Sequence, residues 1–81
     1  MRVRVRLFGT FREMLPAAAR DGLWEVDVEA GTTASRLLSQ LNIPVEDGHG
    51  TVVLVNGRLG QPDQALNEGD TLSAFPAMAG G

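Results

Sequence analysis

Cysteine, lysine and tyrosine are absent from this 81-residue chain, and histidine occurs once, at His49. Without cysteine there is no disulfide scaffold, no thiolate zinc site, no iron–sulfur cluster and no thiol nucleophile. A single histidine makes neither a histidine-based metal centre nor a catalytic triad; in its Gly-flanked loop it reads as a solvated residue. No apolar run approaches the roughly 18 residues of a membrane-spanning helix. No basic start leads into a long apolar stretch of the kind that marks a secretory signal. The expected setting is therefore the cytoplasm, with no membrane partner. A chain of this length forms one small domain. At about 0.05–0.15 kcal/mol per residue its stability is expected to be roughly 4–12 kcal/mol, with little room for a deep catalytic pocket. These absences favour a carrier, binding module or subunit over a free-standing enzyme.

The seven basic residues are all arginine and face ten acids, a formal net charge of −3. Six arginines lie in residues 1–36, whereas residues 37–81 hold only Arg58 against Glu46, Asp47, Asp63, Glu68 and Asp70. Phosphate binding needs a basic stripe, so nucleic acid is not an expected partner. An acidic half suits a protein partner with a basic face, and it also keeps a small domain soluble.

Residues 2–8 alternate, with Val3, Val5 and Leu7 on one side and Arg2, Arg4 and Arg6 on the other, the period of a half-buried strand. After Gly9, Thr10 and Glu13 fit a capping box that would start a short helix, with Phe11, Met14 and Leu15 on one face. Asp21-Gly22 marks a turn. Residues 23–29 alternate again, Trp24, Val26 and Val28 against Glu25, Asp27 and Glu29. An antiparallel pair of these strands would match arginine to carboxylate on the outer face. Ala34, Leu37, Leu38 and Leu41 form a helical stripe after Gly31 and Thr32-Thr33, expected to close before Pro44. Residues 45–50 read as a polar loop, and 51–55 (TVVLV) as a strand apolar on both faces. Asn56-Gly57 is a hairpin turn returning through Arg58-Leu59. Residues 61–68 read as irregular, with Asp70 in a turn. Residues 71–75 form the last strand, which Pro76 should stop. One main helix on one face of a mixed sheet of four or five strands is an α+β solution of β-grasp, ubiquitin-like form. The expected organisation is a β-grasp domain over residues 1–75 and a flexible C-terminal tail over residues 76–81.

That tail reads Pro76-Ala77-Met78-Ala79-Gly80-Gly81. The five residues beyond Pro76 reach at most about 17–18 Å when extended, and their small side chains suit a narrow channel. Gly80 and Gly81 permit close backbone approach. The tail's chemical group is the α-carboxylate of Gly81, inert as an acyl donor until activated.

With its opening strand followed by Phe11-Arg12-Glu13-Met14, and with Val55-Asn56-Gly57, Leu66-Asn67-Glu68-Gly69-Asp70 and Phe75 through Gly81, the whole chain resembles the ubiquitin-like sulfur carrier family. Within it the likeness is greatest to small subunits of molybdopterin synthase, with the thiamine-pathway sulfur carrier as a sibling. Ala74 and Ala77 depart from that subunit's usual pattern of a second aromatic and a second proline. The resemblance implies that an E1-like adenylating enzyme uses Mg-ATP to activate Gly81, and that a persulfide sulfurtransferase converts the adenylate to a thiocarboxylate. In a heterotetramer with the synthase large subunit, the tail would then donate sulfur to form the dithiolene of molybdopterin. The carrier itself binds no cofactor and no metal in this scheme. Gly81 is the candidate reacting residue, Gly80, Ala79 and Met78 the channel segment, and Phe75 and Pro76 the partner interface. Phe75 also fits an ordinary core position. Val53, Val55 and Leu59 are candidates for an apolar surface patch, and core packing accounts equally well for two of the three. Other outcomes within this class are thiamine, cysteine or tungsten-cofactor synthesis. A ubiquitin-like protein modifier and a plain β-grasp interaction domain are the alternatives outside it. Lacking lysine, copies of this chain offer no ε-amine through which they could be linked into polymers.

Overall fold

In the computed structural model, which describes residues 1–43, 45, 50–61 and 63–77, the first alternating run forms strand β1 (Arg2–Leu7). Val3, Val5 and Leu7 are buried and the three arginines are exposed. The acidic run forms β2 (Leu23–Asp27), antiparallel to β1, with Arg2 opposite Asp27 and Arg4 opposite Glu25. The expected charge-matched outer face is present. Among the described residues only Arg2 and Asp27 close to an ion pair, at 3.1 Å with both side chains well exposed. Such a pair contributes no more than about 1 kcal/mol. Its larger effect is on register, because a slip of one residue would turn the arginines into the core.

Between these strands lies a 3₁₀ helix (Gly9–Met14) without the expected capping box. Phe8 stands at its N-cap with no side-chain hydrogen bond, and Thr10 is already inside the helix. Gly9 makes the turn at φ +59°, and Phe11 buries to hold the helix against the domain. Met14 does not share that buried face; it remains 41% exposed. Asp21 and Gly22, both at positive φ, form a two-residue turn bridging Arg20 to Leu23.

Helix α1 (Ala34–Gln40) buries the expected stripe of Ala34, Leu37, Leu38 and Leu41. Thr33 caps it, its hydroxyl accepting from the Arg36 backbone N–H at 3.2 Å. It closes before Pro44, as expected. Asn42 turns left-handed at φ +63°, Ile43 N–H donates to Leu38 C=O at 3.0 Å, and Asn42 N–H donates to Ser39 C=O at 3.0 Å. With Ile43 and Leu38 both buried, this is a complete Schellman ending.

Strands β3 (Thr51–Val55) and β4 (Arg58–Leu59) form a hairpin about Asn56-Gly57, whose φ values of +53° and +82° suit the right-handed twist of the flanking strands. The last strand, β5 (Thr71–Pro76), lies between β1 and β3, parallel to the first and antiparallel to the second. The five-stranded sheet has the order β2-β1-β5-β3-β4. Its inner face shares one core with α1, completed by Ile43 and Leu66. The 61–70 connection is less irregular than its composition implies: Ala34 N–H donates to Gln64 C=O and Leu66 N–H to Thr32 C=O, tying it to the start of α1. Among the described residues no helix is long and apolar enough to cross a membrane.

Candidate functional site

Residues 78–81, and with them Met78, Ala79, Gly80 and Gly81, lie outside the described residues, as does His49. What the structure defines is the base from which that segment departs. Strand β5 is held on both flanks to its end: Phe8 N–H donates to Ala74 C=O at 3.1 Å on the β1 side, and Ala77 N–H donates to Gly50 C=O on the β3 side. Pro76 does not stop the strand. It is the last strand residue and pairs with Thr51. By alternation along the strand, its missing N–H would point toward β1, which has already ended at Leu7, so no ladder bond is lost. Its ring packs instead against Gly9, where an added Cβ would come within 3.0 Å of the proline Cγ.

Phe75 is not a core residue. Ala74 takes the core position, and Phe75 lies on the opposite face, half-buried. It stacks on Phe8, with ring centroids 4.2 Å apart and planes 6° from parallel. The Arg6 guanidinium carbon sits 5.6 Å from the Phe8 centroid, within cation–π range. Phe8 escapes the sequence reading, although the period of two continues from Arg6 onto it and places it on the outer face.

Pairing assigns that face. Val52 lies opposite Phe75, and Leu54 opposite both Ser73 and Leu59. Val53 and Val55, candidates for the surface patch, are instead core residues at 6% exposure each. Leu59 alone of the three is exposed, at 81%. The open face thus carries an apolar row of Phe8, Phe75, Val52, Leu54 and Leu59, with Arg4 and Arg6 alongside. It is an open apolar row on a sheet face, not an enclosed cavity of the kind that surrounds a small substrate.

The motif residues Asn56 and Asp70 serve this geometry from the other end of β5. Asp70 is more than a turn residue: it is buried, accepting from Asn56 Nδ2 at 2.9 Å and from Asn67 N–H at 2.7 Å. Asn56 Oδ1 in turn accepts from Thr71 N–H at 2.9 Å. The groove beside them, about 460 Å³ and open to solvent, is lined by Asn56, Arg58, Gln64, Asn67 and Asp70. Its Asn–Asp pair is spent on fixing the start of β5. No group of three metal-ligating side chains occurs among the described residues.

No curated protein matches the chain in sequence. Several solved structures share its fold. Small archaeal modifier protein 1 from Haloferax volcanii is 25% identical, with a TM-score of 0.73 over 95% of this chain and 98% of that one. The Haloferax volcanii HVO 2177 protein is 33% identical, with a TM-score of 0.68 over 100% of this chain and 87% of that one. A putative molybdopterin converting factor, subunit 1, from Pyrococcus furiosus is similar in fold, at 24% identity and a TM-score of 0.71 over 95% and 98% of the two chains. The ThiS family model matches residues 5–81, from the second buried valine of β1 through the glycine pair. A β-grasp sheet whose central strand runs directly into a small-residue segment ending in Gly80-Gly81, matched over that whole length, makes this chain a member of the ThiS family of ubiquitin-like sulfur carriers.

Proposed function

We propose that this carrier is the small subunit of a molybdopterin synthase, its sulfur held as a thiocarboxylate on Gly81. An E1-like enzyme with Mg-ATP forms the acyl-adenylate. The terminal sulfur of a persulfide on the sulfurtransferase displaces AMP to give an acyl disulfide. A second thiol of the partner cleaves its S–S bond, leaving the thiocarboxylate on Gly81 and a disulfide on the partner. The loaded tail then enters the large subunit, where the sulfur attacks the precursor ring. A thiocarboxylate is a soft nucleophile, and its attachment to a protein tail supplies proximity and keeps water out. The observation that carries this reading is the anchorage of β5 through Pro76 beside the Phe8–Phe75 stack. A partner that grips the open sheet face then meets a tail departing from a fixed point. Catalytic groups for adenylation and for sulfur insertion belong to the partners.

A second reading, a protein modifier joined through Gly81, draws support from the likeness to small archaeal modifier protein 1. Mass spectrometry of the chain isolated from its source separates the two. Replacement of one carboxylate oxygen by sulfur marks the carrier, and higher-mass adducts on other proteins mark the modifier. Deleting Gly81 is expected to abolish ATP-dependent loading while leaving the thermal transition unchanged. Normal adenylation of the 80-residue chain would refute both readings.

A further inference from the structure

The sheet has two edges, β4 with two residues and β2 with five. The backbone of β2 can be assigned group by group. Met1 and Val28 exchange both ladder bonds, Met1 N to Val28 C=O at 2.7 Å and Val28 N–H to Met1 C=O at 2.8 Å. An antiparallel ladder alternates, so Val26 and Trp24 also bond toward β1, while Leu23, Glu25 and Asp27 direct their N–H and C=O groups away from it. The chain already uses the first of these outward positions: Leu23 exchanges both bonds with Arg20, at 2.9 and 2.8 Å. Glu25 and Asp27 remain, with two donors and two acceptors along an edge that is open among the described residues.

The side chains state what would fit there. Trp24, Val26 and Val28 lie half-buried against the core on the inner face. Glu25 and Asp27 stand exposed on the outer face. Among the described residues Glu25 makes no ion pair, and Asp27 makes one, with Arg2 of β1. The strand accepted on the other flank is β1 itself, arginine outward and valine or leucine inward. The residue accepted at the start of the free edge is again an arginine. We propose that the free edge of β2 docks an extended segment of a partner protein in which Arg or Lys alternates with apolar residues, added as a sixth strand. Main-chain bonds to Glu25 and Asp27 supply affinity, and the two carboxylates select a basic segment. Those same carboxylates deter uncharged and acidic edges, including the β2 edge of another copy. This interaction does not depend on sulfur transfer or on Gly81.

The test uses a synthetic acetylated, amidated peptide alternating Arg and Val over six residues, titrated into the full 81-residue protein and followed by NMR. The expected result is saturable shifts at residues 24–28 and severalfold slower hydrogen exchange of the Glu25 and Asp27 amides. Binding is expected to weaken as salt rises. Glu25→Lys should weaken it severalfold. Glu25→Pro, which removes an outward donor without costing a β1 bond, should do the same, whereas Leu59→Ala at the other edge should not. Failure to bind, equal binding of the matching Glu–Val peptide, or shifts confined to Val52, Leu54 and Leu59 would each overturn the proposal.

Discussion

At the scale of single residues, the stack of Phe8 on Phe75 joins the end of β1 to the end of β5 on the open face. Each is half-buried on a face that the core does not need, and each stabilises the other by stacking. A double-mutant cycle with Phe8→Ala and Phe75→Ala, read by urea unfolding, is expected to give a coupling of about 0.5–1.5 kcal/mol. The single losses should leave the fold intact while weakening partner capture more than stability. The sequence left Phe75 open between a partner interface and an ordinary core position; the structure removes the core position, and the stacking partner was not readable. Phe8 ends the alternating run and precedes a glycine, so its membership of the outer face depends on carrying the alternation two residues past the last charge, Arg6. Asn56 and Asp70 show the converse. Both sit in recognisable turn sequences, yet their hydrogen bonds to one another join residues 14 apart, a pairing that no local pattern discloses.

Among the elements, β1, β2 and α1 were legible because one face of each is apolar and the other polar, which fixes period and orientation together. Strand β3 was legible as a strand but not in orientation. Val52, Val53, Leu54 and Val55 are equivalent in hydropathy, and only pairing with β5 decides that Val53 and Val55 point inward. The Thr10–Glu13 spacing suggested a short helix with a capping box; the short helix is present as a 3₁₀ helix, but it starts one residue earlier, at Gly9, with Phe8 at the N-cap and no side-chain cap. Helix α1 was expected to close before Pro44 and does so, and Asn42 carries the stop through its left-handed backbone. Asn42→Gly should therefore leave α1 unshortened and cost little, because glycine adopts the same left-handed geometry. Asn42→Val, β-branched at positive φ, should lower stability by about 1–2 kcal/mol in thermal or urea unfolding. Equal effects of the two substitutions would show that the Schellman ending is not what holds this terminus.

For the molecule as a whole, the decisive arrangement is the parallel pairing of β1 with β5, which sets Arg4 against Thr71 and Leu7 against Ala74 in the middle of the sheet. The two strands that must meet are nearly the whole chain apart in sequence. The β1–β2 and β3–β4 pairs can form locally, but neither half has its core until β5 inserts between them. Such long-range closure is slow relative to helical bundles of similar size and leaves few stable partial folds. A fragment of residues 1–70 is accordingly expected to lack dispersed amide signals and a cooperative thermal transition. The full chain should unfold in one step, seen alike by tryptophan fluorescence and circular dichroism. Because β5 joins the two halves of the sheet and also leads into the C-terminal segment, Phe75 stacks on Phe8, and Pro76 packs against Gly9, only in a chain whose sheet is complete. A partner that requires the apolar sheet face and the root of the C-terminal segment together thereby admits only copies whose sheet is complete, so that the docking contact doubles as a check on folding.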